Sequence, residues 1–339
     1  TWSLVGSEMC IRDRRNIYFS HKVQVTRQYL LQSLNKVENL KKLKYGILGG
    51  GYSNERNISL KSAEAVNNAL NEEGYKSKIL DVDNKKKLFS KDSYKNFDFI
   101  FVLIHGLGGE DGELQNFFEE MELNYSGSSS KACKKSFDKK TAKTFLSKNI
   151  LTPEQFLWNS FEGKIEFNSH QIKRLVVKPT KEGSSLGVSI IENKPDFIKT
   201  AIEKASKYGE FMIEEFIEGS EITVARVGNE NFPPVQIIPE NQFYDFQAKY
   251  NSFNTKYTKA DYSSGRQSEL DQLITQINVD FNCKAWSRVD LIDDGENFYF
   301  LELNTVPGMT NSSLVPKAAK FAGIDFNELV IQIIKSSLD

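Results

Sequence analysis

The sequence has few cysteines and no long apolar run. Its three cysteines, Cys10, Cys133 and Cys283, are isolated from one another. Such spacing indicates neither a zinc site nor a disulfide framework, and it fits a reducing cytoplasm. No apolar run approaches the ~18 residues of a membrane span, and the first residues lack the apolar region of a signal peptide. We therefore expect a cytoplasmic protein with no membrane partner.

An excess of one charge is also missing. Lys and Arg together number 44, against 45 for Asp and Glu. A general nucleic-acid binder needs a basic excess or patch, so we expect no nucleic-acid partner. The Walker A pattern is absent, and no nucleophile elbow with a Ser-His-Asp order is present, which disfavours a P-loop enzyme and a serine hydrolase of that type.

Residues 1–43 differ from the rest of the chain. Residues 3–14 read SLVGSEMCIRDR, and the piece MCIRD resembles the translation of a sequencing adapter. We therefore predict that about the first 14 residues are an artefact of sequence assembly. Residues 15–42 are polar and predict either a short helix or a segment foreign to the native protein.

From Lys44 onward the pattern is that of a folded α/β domain. A short apolar run ends in three glycines, and helical spacing follows over Ile58–Leu70, with Ser59 and Ser62 as candidates for the helix start. Strands are predicted over Tyr75–Val82 and Phe97–Ile104, the second again followed by a glycine-rich loop. This order predicts a parallel α/β layer with ligands at the carboxyl ends of its strands.

Three further segments carry weaker signals. Ser136–Lys148 predicts a helix. The glycine- and serine-rich Glu182–Gly187 follows a strand that ends at Lys178, and it could fold N–H groups over phosphates, although its spacing alone favours a surface loop. Asn241–Tyr257 holds three tyrosines and no periodicity, which is typical of an ordered lid. His105, in the second glycine-rich loop, is by itself more often structural.

Two C-terminal strands carry the sharpest signal. If the turn between them centres on Glu296, Asp290 lies opposite Glu302 and Arg288 lies opposite Asn304, all on one face of the sheet. Two carboxylates and an amide oxygen are ligands that suit Mg²⁺ beside substrate phosphates. The alternative is an exposed hairpin face with salt bridges, which the apolar neighbouring residues disfavour.

Six motifs in order resemble those of the D-alanine–D-alanine ligases of the ATP-grasp superfamily. They are GGGYSNERNISLKS, HGLGGEDGELQ, VVKPTKEGSSLGVS, FYDFQAKY, SRVDLI and ELNTVPGMTNSSLVP. The resemblance implies an α/β (α+β ATP-grasp) fold, in which an N-terminal parallel domain precedes two ATP-grasp subdomains that sandwich the nucleotide. It places the substrate-binding domain at 44–138, the central subdomain at 139–218 and the C-terminal subdomain, with the omega-loop and metal site, at 219–339.

The resemblance also implies a reaction and its residues. ATP phosphorylates one D-alanine, the amine of a second attacks the acyl phosphate, and D-alanyl-D-alanine for peptidoglycan is released. Catalytic roles fall to Glu55, Ser184, Tyr250, Arg288 and Ser313. Substrate is bound by His105, Gly308 and Leu314. Two Mg²⁺ or Mn²⁺ ions are held by Asp290, Glu302 and Asn304. The residues implied to contact ATP are Lys139, Lys178, Glu182, Ser185, Glu214, Phe216, Ile217, Glu221 and Lys249.

Several alternatives stay open at this point. Depsipeptide-forming relatives accept D-lactate, and others D-serine, but Tyr250 at the lid favours D-alanine. Another ATP-grasp carboxylate–amine ligase would share the nucleotide and metal residues but not Glu55, His105 and Ser313 together. A regulatory ATP-binding module would have lost a metal ligand or Arg288. The family is commonly homodimeric, which we also expect here.

Overall fold

The computed structural model describes residues 38–159, 164–166, 172–239 and 255–339. Residues 1–37 of the N-terminal extension and most of the predicted lid, with Lys249 and Tyr250, lie outside these ranges. The described helices are α1 (Arg56–Glu72), α2 (Lys85–Leu88), α3 (Glu113–Glu120), α4 (Ser130–Phe137), α5 (Lys139–Ala142), α6 (Pro195–Ala205), α7 (Ser264–Phe281), α8 (Leu314–Phe321) and α9 (Phe326–Leu338). Short 3₁₀ turns span Lys91–Ser93, Lys143–Phe145 and Ser206–Tyr208.

The first sheet is parallel, as predicted. Its strands are β1 (Lys44–Gly50), β2 (Lys76–Val82), β3 (Phe99–Val102) and β4 (Asn124–Tyr125), in the order β2-β1-β3-β4. The apolar side chains of β1 and β3 are buried, as expected for strands covered on both faces. The glycine-rich loops after β1 and β3 therefore leave the sheet side by side at its carboxyl edge.

The predicted start of helix α1 is wrong. The helix begins at Arg56, and Ser59 and Ser62 lie inside it, buried against the protein. The Ser59 hydroxyl accepts a hydrogen bond from Gly50 N at 2.8 Å and donates one to Leu103 O at 2.7 Å. In the sequence Ser59 resembles a helix cap. In the fold its hydroxyl instead connects helix α1 to the ends of β1 and β3, the two strands that lead into the glycine-rich loops.

The second sheet is antiparallel and occupies the middle of the chain. Its strands β5 (Gln155–Asn159), β6 (Lys164–Glu166), β7 (Arg174–Pro179), β8 (Ser189–Glu192) and β9 (Phe211–Glu215) pair in the order β6-β5-β9-β7-β8. The single helix predicted over Ser136–Lys148 is wrong. The chain breaks between α4 and α5 at Asp138, whose extended backbone and side-chain bond from Thr141 N, 2.9 Å, start a new helical segment.

The third sheet is also antiparallel and closes the C-terminal part. Strands β10 (Ser220–Val227), β12 (Val235–Ile238), β13 (Lys256–Lys259), β14 (Trp286–Asp293) and β15 (Phe298–Asn304) pair in the order β13-β12-β10-β14-β15, and β11 (Glu230–Asn231) pairs with β10. Together the three sheets make a mixed α/β fold.

One apolar core joins the first sheet to the C-terminal part. Phe101 of β3 and Trp286 of β14 belong to it, with ring centroids 6.0 Å apart, and the buried face of α9 closes it. This packing holds the loops after β1 and β3 against the end of β15. Within the described ranges, no helix combines the length and apolar character that a membrane span needs.

Candidate active site

The pairing predicted for the two C-terminal strands is the pairing observed. Asp290 lies opposite Glu302, and Arg288 lies opposite Asn304. The turn is tighter than predicted, since Asp293 pairs with Phe298, and a bulge next to Asp290 restores the predicted register. A bulge re-aims the side chains that follow it, and here it brings both carboxylates onto one face of the sheet.

Asp290 is buried and held by two partners. Arg288 donates to it twice, from Nε to Oδ1 at 2.9 Å and from Nη2 to Oδ2 at 2.7 Å. Thr223, directly opposite on β10, donates its hydroxyl to Oδ1 at 2.6 Å. Charged partners and a hydroxyl fix the orientation of a carboxylate, so Asp290 is preorganised. The sequence analysis missed Thr223, because nothing in the sequence pairs β10 with β14.

Glu302 and Asn304 extend this polar face. Lys139 Nζ lies 3.1 Å from Glu302 Oε2, and Asn304 Oδ1 accepts a bond from Val306 N at 3.0 Å. In the described part of the chain, no group of three or more His, Cys, Asp and Glu side chains is arranged to hold a metal. The two carboxylates and the amide oxygen of this face are hard oxygen donors of the kind that suit Mg²⁺, which completes its coordination with water and substrate phosphates.

A cavity of about 390 Å³ lies between the second and third sheets beside this face. Apolar side chains from both sheets form its walls, including Val176, Ile190, Ile237, Ile292 and Leu301. An apolar slot with a few polar groups at one end suits a flat base with a charged tail. Eight of the nine residues predicted to contact ATP line it: Lys139, Lys178, Glu182, Ser185, Glu214, Phe216, Ile217 and Glu221.

A buried carboxylate with two lysine partners lies at the polar end of this cavity. Glu214 is buried, and Lys178 Nζ lies 2.6 Å from its Oε2. Lys143, which the sequence analysis missed, forms an ion pair with Oε1 of the same carboxylate. Burial raises the pKa of Glu214, but the charges of both lysines outweigh it and leave the pKa lowered. Glu214 is therefore ionised and lies between two ammonium groups. The family resemblance implied only a contact with ATP for this residue.

The glycine- and serine-rich loop after β7 separates this cavity from a second one, and its residues Glu182 and Gly183 line both. Ser184 and Ser185 have φ angles of 53° and 58°, which are left-handed values that L residues adopt at a cost. The Ser184 hydroxyl donates to Glu55 Oε1, and a Cβ at Gly183 would lie only 3.2 Å from Glu55 Oε2. The left-handed backbone of the two serines and the lack of a side chain at Gly183 allow this loop to lie directly against Glu55.

The second cavity, of about 160 Å³, is polar and has an acidic excess, because two carboxylates, Glu55 and Glu182, and one lysine, Lys181, line it. The loop after β1, the loop after β3 and the Glu182–Gly183 step line it, and Glu55 is among its residues. Burial first, and then the charge of Glu55, raises the pKa of Glu182. Carboxylates that repel each other in a confined space favour an added cation, so this cavity suits an ammonium group.

His105 lies behind Glu55 and is buried. Its Nδ1 donates to Val306 O at 2.9 Å and lies 3.6 Å from Glu110 Oε1. Burial opposes the charged imidazole, but the bond to Glu110 and the charges of Glu110 and Glu55 raise its pKa overall. Among the described residues, Nε2 has no hydrogen-bond partner, which leaves one buried ring nitrogen for a ligand.

Glu110 is a third residue that was not predicted from the sequence, after Thr223 and Lys143. It lies in the predicted motif HGLGGEDGELQ, and with Lys139, Glu302 and Asn304 it lines a third cavity of about 40 Å³. Burial is the main cause of its raised pKa. The motif shows both Glu110 and His105, but it does not show that the two side chains lie close together.

The remaining predicted residues stand apart from the three cavities. Arg288 lies behind Asp290. Ser313 and Leu314 lie at the start of α8, and Gly308, in the loop before it, lies close to the Ser313 hydroxyl. The Ser313 hydroxyl accepts from Thr310 N at 3.0 Å, and Leu314 is the first helical residue, so its N–H points away from the helix body. A helix start of this kind suits a carboxylate.

Known proteins share this architecture and these motifs. A family model described as D-ala D-ala ligase C-terminus matches residues 150–335. A D-alanine–D-alanine ligase of Vesicomyosocius okutanii is 39% identical over 293 residues, which cover 85% of this chain and 98% of that protein.

Solved structures agree with the sequence relatives. A D-alanine–D-alanine ligase of Bacillus anthracis complexed with ATP superposes with a TM-score of 0.74 at 28% identity, covering 87% of this chain and 97% of that one. A D-Ala:D-Ser ligase of Enterococcus faecalis, 24% identical with 87% and 99% covered, shares the fold at a TM-score of 0.72. With half of the chain matched by the family model and most of it by the relatives, the protein belongs to the D-alanine–D-alanine ligase family.

Proposed function

We propose that the protein joins two D-alanines in an ATP-dependent reaction and so supplies D-alanyl-D-alanine for peptidoglycan. The observation that carries this proposal is the meeting of three cavities at Glu182 and Gly183. A nucleotide-sized cavity, an acidic amino-acid cavity and the Asp290–Glu302 pair share this loop. Donor carboxylate and phosphate can therefore meet in one place.

The donor amino acid is held by opposite charges. Its ammonium group lies against Glu55, with the free Nε2 of His105 as a neighbour. A carboxylate oxygen of this D-alanine attacks the γ-phosphorus of ATP. A new O–P bond forms as the bond to the β-phosphate oxygen breaks, and ADP leaves. Lys139 and Lys178, which line the nucleotide cavity, neutralise the phosphate charge.

The second step joins the two amino acids. The amine of the acceptor D-alanine attacks the acyl carbonyl carbon and loses a proton, and phosphate leaves as the C–O bond breaks. We assign the oxyanion that forms to Arg288 and the N–H of Gly308, and the acceptor carboxylate to Ser313 and the N–H of Leu314. Tyr250 and Lys249, outside the described residues, are proposed to close over this site and exclude water.

Asp290, Glu302 and Asn304 would hold two Mg²⁺ or Mn²⁺ ions at the phosphate end of the cavity. When bound, these ions supply charge stabilisation for the transferring phosphoryl group. The three-part division at 44–138, 139–218 and 219–339 is proposed with the same argument, because the three sheets follow one another along the chain in that order. A homodimeric assembly and a cytoplasmic location stay predictions from the family resemblance.

The acceptor needs a direct experiment, since a D-Ala:D-Ser ligase has the same fold. Purified protein is incubated with ATP, Mg²⁺ and D-alanine, and phosphate and dipeptide are both measured. D-serine and D-lactate are then offered as acceptors. We expect equal amounts of phosphate and D-alanyl-D-alanine, with D-alanine preferred. Phosphate release that does not require D-alanine, with no dipeptide formed, would show that the proposal is wrong.

A matched pair of variants tests the donor site. Glu55→Gln removes the charge proposed to hold the donor ammonium, whereas Glu64→Gln removes an exposed charge from helix α1, which begins directly after Glu55. We expect the first variant to raise the KM for the donor D-alanine by about tenfold or more and the second to leave it unchanged.

A further inference from the structure

We propose that Lys143 is a positioning residue for ATP, which holds Glu214 and, through it, the phosphate-facing Lys178. This inference deepens the proposed function, because it concerns the same nucleotide cavity. Lys143 itself does not line that cavity, whereas Glu214 and Lys178 do. No motif of the sequence assigned it a role.

The geometry places the three groups in a chain. Lys143 begins the 3₁₀ turn after α5, and its ammonium pairs with Oε1 of Glu214 on β9. Lys178, at the end of β7, pairs with Oε2 of the same carboxylate at 2.6 Å. One carboxylate thus connects a lysine behind the cavity to a lysine at its surface. Each oxygen of Glu214 has its own ammonium partner, so the orientation of the carboxylate is set from both sides.

Lys143 affects the net charge of the three side chains, and that charge acts on a bound phosphate. The exposed fractions of the side chains are only 4% for Lys143, 2% for Glu214 and 10% for Lys178. Two ammonium groups and one carboxylate give these three side chains one net positive charge, which little water screens. The carboxylates of Asp290 and Glu302 line the same cavity, so this positive charge also offsets theirs beside a bound phosphate. Without Lys143, Glu214 and Lys178 would neutralise each other, and the phosphate end of the cavity would lose that charge.

A purely structural ion pair is the competing explanation. Buried ion pairs often stabilise a protein no more than apolar side chains do, because their desolvation is costly. A structural role would change the free energy of unfolding but would leave the pH dependence of ATP affinity in place. The two explanations therefore separate in a nucleotide-binding experiment.

Lys143 also gives the binding a predictable pH dependence. Burial lowers the pKa of Lys143 to about 8, with the charge of Glu214 opposing this change and that of Lys178 adding to it. The ammonium is present below this pH and is lost as the pH rises through it. ATP affinity should therefore fall as the pH rises through about 8. Arginine at this position would stay charged throughout.

The experiment measures the dissociation constant of ATP by calorimetry on the full chain, between about pH 6.5 and pH 9.5. Wild type is compared with Lys143→Met, Lys143→Arg and the control Lys140→Met, whose lysine is exposed one turn away. We expect Lys143→Met to bind ATP at least about tenfold more weakly at neutral pH. Lys143→Arg should bind ATP well but lose the weakening at alkaline pH, and Lys140→Met should match wild type.

Two results would overturn the inference. One is a folded Lys143→Met protein, by circular dichroism, whose ATP affinity lies within twofold of wild type. The other is an alkaline weakening that persists in Lys143→Arg, which decides the matter even if Lys143→Met does not fold. If the expected ATP affinities are found but no dipeptide forms with any acceptor, the proposed function fails while this inference stands.

Discussion

Thr223→Val is expected to weaken metal binding without unfolding the protein. The Thr223 hydroxyl donates to Asp290 Oδ1 at 2.6 Å, and both residues are buried. A buried hydrogen bond to a charged group contributes ~1.5–3 kcal/mol. Arg288 keeps its two bonds to Asp290, so the carboxylate is not left without a partner, and we expect a cost near the lower end. The rotational freedom gained by Asp290 should weaken a bound metal by ~10–100-fold, which is typical when an outer partner of a ligand is removed.

Two measurements separate stability from metal binding. Urea unfolding gives the change in the free energy of unfolding. A titration with Mn²⁺ in the presence of ADP, followed by electron paramagnetic resonance, gives metal affinity without relying on turnover. Thr223→Ser, which keeps the hydroxyl, is the matched control and should retain wild-type affinity. Equal Mn²⁺ affinity in wild type and Thr223→Val would refute the assignment of Thr223 as the residue that orients Asp290.

Two further predictions concern the same face and the histidine behind it. Glu302→Gln should lower turnover by about 100-fold or more while leaving the protein folded, because it removes charge from the proposed metal pair; unchanged turnover would rule out that pair. Glu110→Gln should lower the pKa of His105, since burial disfavours the imidazolium and Glu110 is the first of the groups that favour it. The chain has only three histidines, so the titration can be followed by NMR with His105→Gln as the assignment control, and an unchanged pKa would contradict the role of Glu110.

The elements that the sequence predicted well are those whose signal is local. The strand predicted over Tyr75–Val82 is observed as β2 over Lys76–Val82, within one residue of the predicted bounds. The Asp290–Glu302 pairing followed from the alternation of side chains along two strands joined by a short turn. The bulge that corrects the register was not predictable, since it depends on how the third sheet packs and not on the hairpin alone.

The residues that were mispredicted or missed depend on contacts with distant parts of the chain. Ser59 resembles a helix cap until the sheet supplies Leu103 O as its partner. Lys143 resembles one of many lysines in a Lys-rich chain, and only the fold brings it to Glu214, 71 residues away. Thr223 acquires its role because β10 and β14 are neighbours in the sheet. Each of these polar contacts joins segments far apart in sequence, which no local pattern encodes.

The charges around the cavities predict one orientation for the proposed donor amino acid. Glu55 and Glu182 outnumber Lys181 in the second cavity, so we expect it to attract the ammonium end of a zwitterion and to repel the carboxylate end. Lys143 and Lys178 outnumber Glu214 on the nucleotide side, and their charge has the opposite preference. We therefore expect an amino acid placed between them to turn its carboxylate toward the nucleotide phosphates. This orientation would depend on charges held by the strands and by the strained Ser184–Ser185 backbone, and it would bring carboxylate and phosphate together before the reaction.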